Sequence, residues 1–248
     1  PMNYLISESA WDQILIMLKK EESIYHKSET SLRLFIEAIY YIVRSGCQWR
    51  LLPSYYGKWY SIHKRFIRWQ KKGIWEKIFS FSKKDPDTER VMIDATIIRA
   101  HACAAGYKKN GNQKNALSRS VGGFSTKIHT ICDGLGNPLK FILSEGHVHD
   151  VTQASALIED INNSQVLADK GYDSDDFVEI IENQACSAII PPRKNRKIKR
   201  NYDKNIYKDR HLIECFFGKI KHFRRIFSRF DKAIFSFMGY LNFVGALI

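Results

Sequence analysis

The chain has 248 residues, 44% hydrophobic and 13% aromatic, with 39 Lys and Arg against 26 Asp and Glu, a formal net charge of +13 and a pI near 9.5. That length carries one sizeable core, or a core and a small second domain, and the apolar content excludes a disordered chain. The charge excess points to a polyanionic partner, most often nucleic acid, although a folded basic protein without such a partner has the same composition.

Residues 7–80 read as helical. Ser9 to Asp12 offers a capping box ahead of ILIMLKK, and Ser31 to Arg44 carries apolar residues at helical period with Gly46 as a stop. Trp49 and Pro53 frame a turn, and Lys58 to Lys72 forms a third helix whose apolar face is Trp59, Ile62, Phe66 and Trp69. Helix, turn and basic helix is an arrangement that can lay a recognition helix in a major groove, with Lys64, Arg65 and Arg68 as candidate DNA contacts. A small bundle with a solvated lysine-rich face fits the same residues. The charged stretch Ser82 to Asp87, interrupted by Pro86, divides the chain into a helical domain over 1–85 and a second domain over 88–248.

Beyond the boundary the pattern shifts to short apolar runs. Arg90–Ile98 reads as a buried strand, and a loop rich in Gly, Asn and Lys covers Gly106–Ser120. Phe124–Cys132 and Pro138–Ser144 read as a hairpin around DGLGNP. Helices at Asp150–Asn162 and Ser174–Asn183 alternate with strands at Gln165–Ala168 and Ser187–Ile190. Tyr207 to Lys232 then reads as one long helix, in which Tyr207, Arg210, Glu214 and Lys221 fall within an arc of roughly 60° beside an apolar face. The expected fold class is therefore α/β, a mixed sheet in the element order of the ribonuclease H-like fold behind a small helix-turn-helix-like domain.

On this layout Asp94 lies within the first strand, Asp169 follows the fourth, and Glu214 lies on the long helix. Each has a plainer reading alone: a strand-end Asp can cap a turn, and Glu214 can pair with Arg210 at i, i+4. Together they suggest a pocket outside the carboxyl ends of adjacent strands. Three converging carboxylates repel one another, and Mg²⁺ or Mn²⁺, as two ions, would relieve that and serve an in-line phosphoryl displacement.

Several stretches match one family. MIDATIIRAH around Asp94, SVGGFSTKIH, GHVHD, VLADKGYD around Asp169, the spacing of Tyr207, Arg210, Glu214 and Lys221, and GCQWRLLPSYYGKWYSIHKRFIRWQKKGIWEKIF all resemble the DDE transposases of bacterial insertion sequences, in the insertion-sequence-four and -five superfamily. The resemblance covers nearly the whole chain. It implies cleavage at element ends and attack of the freed 3′-hydroxyl on target DNA. Asp94, Asp169 and Glu214 would then hold the metal ions, and Tyr207, Arg210 and Lys221 would grip phosphates near the scissile bond. A homodimer in the synaptic complex is also implied.

The Gly122–Lys127 stretch lacks P-loop spacing and enters a strand, which leaves Lys127 as a further candidate DNA contact. His147, His149 and Asp150 suggest a metal cluster, but Asp150 reads better as a helix cap. Lys194, Arg196, Lys197, Lys199, Arg200 and Lys204 form a basic loop suited to clamping a phosphate backbone. The five cysteines have neither zinc-ligand nor redox spacing, and reduced cytoplasmic thiols are expected. The N-terminal PMNYLISESAW lacks a signal-peptide pattern, and the apolar run Ile234–Ile248 is too short to span a bilayer. A cytoplasmic protein without a membrane partner, at the nucleoid when on DNA, is the expectation. Two rivals stay open: a DNA binder without catalysis, and a structure-selective nuclease on the same fold.

Overall fold

The computed structural model describes residues 5–24, 28–83, 85–104, 116–120 and 123–248. Most of the Gly106–Ser120 loop, and Gly122, lie outside them. The chain forms two compact units: Pro1–Lys84 with His101–Lys108 and Ile220–Ile248, and Asp85–Ala100 with Lys109–Lys219.

The first unit is helical. α1 (Glu8–Lys20) starts where the Ser7 hydroxyl accepts from the Ala10 N–H at 3.3 Å, so the cap is Ser7, two residues before the expected box. α2 (Glu29–Ser45) is capped reciprocally by Ser28 and Ser31. It ends at Gly46, whose φ of 68° favours glycine and whose added Cβ would meet the Arg224 Cβ at 3.0 Å. α3 (Trp59–Lys71) and α4 (Ile74–Ser82) bury Phe66, Trp69, Trp75 and Phe79. α9 (Ile234–Gly245), from the far end of the chain, completes this core: Tyr240 stacks on Phe66 at 4.4 Å and Phe243 meets Trp75 at 5.4 Å between ring centroids. The expected 88–248 domain is thus not the grouping seen here, because the apolar face of α9 is buried against aromatic residues of α3 and α4.

The second unit is a mixed sheet with helices. Its strands are β1 (Arg90–Ala100), β2 (Ser118–Ser120), β3 (Gly123–Cys132), β4 (Pro138–Glu145), β5 (Gln165–Leu167) and β6 (Ser187–Ile189). The order is β4–β3–β1–β5–β6, with β2 against the start of β3. β1, β3 and β4 are antiparallel, whereas β5 and β6 run parallel to β1. The hairpin turn closes on buried Asp133, whose carboxylate accepts from the N–H groups of Leu135 (3.0 Å) and Asn137 (2.8 Å). Gly136, at φ 85°, lets this turn approach Leu212, which a Cβ would meet at 3.2 Å.

Val91, Ile93, Val166 and Ile131 pack with α5 (Val151–Leu157) and α6 (Asp175–Asn183) through Leu157, Phe177, Val178 and Ile181. α7 (His211–Lys221) buries Ile213 and Phe216, the latter stacked on Phe141. The expected helix from Tyr207 to Lys232 is broken. Ile206–Arg210 is a 3₁₀ turn, α7 stops at Lys221, and a short α8 (Arg224–Phe227) follows. The break lies at Phe223, which leaves helical geometry (ψ 105°) to bury its ring edge-on against Tyr40.

Candidate catalytic site

The sheet register brings two of the expected carboxylates level. β1 and β5 pair in parallel with Met92 opposite Leu167, and Asp94 and Asp169 each lie two residues further on. A two-residue step returns a side chain to the same face, and neighbouring strands lie about 5 Å apart, so the two aspartates come side by side where β5 ends. Asp169 opens the 3₁₀ turn Lys170–Tyr172, and its Oδ1 accepts from the Gly171 N–H at 2.7 Å. Asp94 Oδ1 accepts from the Ala95 N–H at 2.8 Å.

Arg210 closes the site. Its Nη1 donates to Asp94 Oδ2 at 2.8 Å, and its Nη2 donates to Glu214 Oε1 one helical turn on. Burial raises the Asp94 carboxyl above its usual range, with Asp169 adding to the rise and Arg210 and the Ala95 N–H opposing it. Burial alone would pull the Arg210 guanidinium down; Asp94, Tyr207 and Glu214 outweigh it and hold it above its usual range. The Tyr207 phenol is raised by burial, with Arg210 working against the rise and Asp169 for it. Tyr207, Arg210, Asp94, Asp169 and Glu214 therefore form one charge cluster. Lys221 lies in the last turn of α7 and makes no ion pair among the described residues. Arg90 pins the 3₁₀ turn to β1 through Asp209 at 2.7 Å.

Among the described residues, no three His, Cys, Asp or Glu side chains are grouped so that they could hold a metal ion. The direct carboxylate triad expected from the sequence is replaced here by carboxylates sharing one guanidinium.

Other expected contacts are placed differently. Lys127 is buried; its ammonium donates to the Val148 carbonyl at 2.7 Å and pairs with Asp150 at 2.7 Å, so it does not face outward as a DNA contact. That pair also occupies Asp150, which makes no side-chain cap to α5. Arg65 lies over the Phe35 ring at 4.3 Å, and burial pulls its guanidinium down to about 10, while Lys64 and Arg68 remain exposed. In the basic loop, Arg196 and Arg200 are bound to Asp173 and Asp175. The Asp173 side chain is only 2% exposed, and it also accepts from the Arg193 N–H at 2.8 Å. Sequence reading missed this anchor; the signal was an aspartate following buried Tyr172 within DKGYD.

His129, on β3 opposite Ala95, is fully buried with Nε2 2.7 Å from the Ser144 hydroxyl. Burial pushes it down to about 4, so it is neutral in the fold. Unfolded, it titrates near 6.5. Its contribution to stability is therefore complete above pH 6.5 and is lost as the pH falls toward 4, by up to about 3 kcal/mol. Thermal melts across that window should show wild-type protein losing stability more steeply than His129→Gln. Parallel pH profiles would count against a neutral buried imidazole.

Comparison with known proteins places this geometry in context. Residues 85–238 match the family described as "Transposase DDE domain", and residues 6–79 match "Putative transposase of IS4/5 family". A "Putative transposase for insertion sequence element IS6501" of Brucella ovis is 37% identical over 126 residues, which is 50% of this chain and 97% of that protein. A "Putative transposase for insertion sequence element IS402" of Burkholderia cepacia is 29% identical over 119 residues, 43% of this chain and 54% of that protein. Among solved structures, a piggyBac transposase synaptic complex with hairpin DNA aligns over 75% of this chain at 14% identity and a TM-score of 0.41. This chain covers 48% of that one, and a likeness of that size carries no functional argument.

Proposed function

The chain belongs to the transposase DDE domain family, and from that premise we propose that Asp94, Asp169 and Glu214 form the catalytic centre of a DNA transposase that cuts the ends of its own insertion sequence and joins them to target DNA. The observation that carries this reading is the Arg210 guanidinium shared by Asp94 and Glu214, with Asp169 beside Asp94 just past the end of the adjoining strand. The sheet order, an antiparallel hairpin on one side of β1 and two parallel strands on the other, supports a ribonuclease H-like assignment.

Hard carboxylate oxygens in a site short of positive charge fit a divalent cation, Mg²⁺ or Mn²⁺. Burial, with Asp169 adding to it, raises the Asp94 carboxyl, and a bound cation would favour its charged form. Once Arg210 releases Asp94 and Glu214, these two and Asp169 would hold one or two such ions, which would activate the attacking oxygen and relieve charge at the leaving one. Arg210 neutralises Asp94 and Glu214 in the meantime. Its planar fork matches phosphate oxygens as well as carboxylates, so it can exchange one for the other when a DNA strand is seated. Tyr207 offers a hydroxyl, and Lys221 a cation, to neighbouring phosphates.

The helical unit would supply further DNA contacts through exposed Lys64 and Arg68, with Arg65 serving packing instead. Two ends must be brought together, so we assign a homodimer to the working complex. No helix of the described residues is long and apolar enough to cross a membrane, and action in the cytoplasm, at the nucleoid, follows from the DNA substrate.

The test is direct. The purified chain, given duplexes carrying the inverted repeats that bracket its gene, should nick at the repeat boundary when Mg²⁺ or Mn²⁺ is added and not in chelator. Binding of these duplexes without cleavage under either metal would reduce the protein to a DNA binder. Equal cutting of duplexes without repeats would make it a nuclease.

A further inference from the structure

A cleft of about 770 Å³ opens beside the candidate catalytic aspartate, within the second unit. Its walls are His149 and Asp150 ahead of α5, the Lys170–Gly171 turn, and Arg193 and Lys194 of the basic loop. The charge balance is one-sided. Asp150 is the one carboxylate of the lining, and Lys127 already neutralises it at 2.7 Å. Lys170 and Lys194 are exposed and make no ion pair among the described residues. Arg193 donates from Nε to the Lys170 carbonyl at 3.2 Å and from Nη2 to the Gly171 carbonyl at 2.7 Å, which leaves its charge uncompensated.

The same bonds make the cleft rigid. Arg193 ties one wall to the other, and Arg196 and Arg200 fasten the loop to Asp173 and Asp175. A preformed seat of this kind binds a charged strand without first ordering its own side chains. Its position is equally specific. The Gly171 N–H that holds the Asp169 carboxylate belongs to the turn that forms the wall. A strand lying in the cleft is therefore next to the candidate site of cleavage.

We propose that this cleft seats the phosphodiester backbone of the flanking DNA, the nucleotides just beyond the scissile bond. The inference rests on the transposase reading above and adds a site to it. Cations without a tryptophan, tyrosine or phenylalanine in the lining favour phosphates over stacked bases. A seat that does not read sequence suits the flank, whose sequence changes with every insertion site.

The experiment is a binding measurement in chelator, so it does not depend on whether the protein cleaves. Fluorescence anisotropy would compare an end duplex that carries a flank with one cut flush at the repeat boundary. Wild-type protein should prefer the flanked duplex by on the order of tenfold, with a salt slope steeper by about 2 for two extra phosphate contacts. The Lys170→Ala/Lys194→Ala variant should bring that ratio to about one, and Lys19→Ala/Lys20→Ala, which removes equal charge from exposed positions on α1, should keep it. Circular dichroism melts would verify that both variants fold. A wild-type ratio near one, a ratio that survives the Lys170 and Lys194 changes, or an equal loss in the control variant would each overturn the proposal. Absence of cleavage in metal would overturn the catalytic reading instead and leave this ratio intact.

Discussion

Replacing Asp94 with asparagine is expected to lower cleavage of end DNA by on the order of 10³-fold or more, because it removes one of the groups meant to hold the metal ions. The change keeps the size of the side chain. One amide oxygen can still accept from the Ala95 N–H, the bond that Asp94 Oδ1 accepts at 2.8 Å. The charged bond from Arg210 at 2.8 Å is weakened, but the buried carboxylate that resists ionisation is also gone. These changes oppose each other, so the melting temperature should move by only a few degrees. DNA binding in chelator should persist. Variant protein that retains a tenth of wild-type cleavage would exclude Asp94 from the chemistry.

Asp231→Ala is expected to destabilise the helical unit by about 3–5 kcal/mol, a large part of the stability of an ordinary domain. Arg225 is only 5% exposed, and Asp231 receives both its Nε (3.0 Å) and its Nη2 (2.9 Å). Nη1 donates to the Cys47 carbonyl at 3.2 Å, and the guanidinium lies 5.0 Å from the Tyr240 ring centroid. Without Asp231 a buried cation keeps one neutral acceptor and the ring faces of Tyr240 and Trp49. The useful control is Glu8→Ala, which breaks the bidentate pair between Glu8 and Arg33 at 2.6 and 2.7 Å. Glu8 is 71% exposed, so water already shares its carboxylate and that loss should be clearly the smaller of the two. Urea melts that rank the two changes equally would mean water reaches Arg225.

The regular elements are legible where local pattern and burial agree. β1 reads correctly because Val91, Met92 and Ile93 are an unbroken apolar run buried on both faces. The hairpin of β3 and β4 reads correctly because its turn residues have the chemistry the turn needs. Errors arise where distant partners decide. Phe223 fits a helical period but is drawn out of the helix by Tyr40. Lys127 and Arg65 look like surface cations, and only the folded positions of Asp150 and Phe35 show them turned inward. Local spacing could suggest the meeting of Asp94 and Asp169 but could not fix it, since it depends on the parallel register of Met92 with Leu167. The sharing of Arg210 between Asp94 and Glu214 had no local signal beyond the i, i+4 pair.

The return of α9 to the helical unit bears on how the protein is made. Trp75 and Phe66 emerge from the ribosome long before Phe243 and Tyr240 exist to cover them. The first helices must wait with a bare aromatic face until residues 234–245 have been made. A premature stop ahead of residue 234 therefore leaves a sticky fragment for proteases and chaperones, not a free-standing DNA-binding repressor.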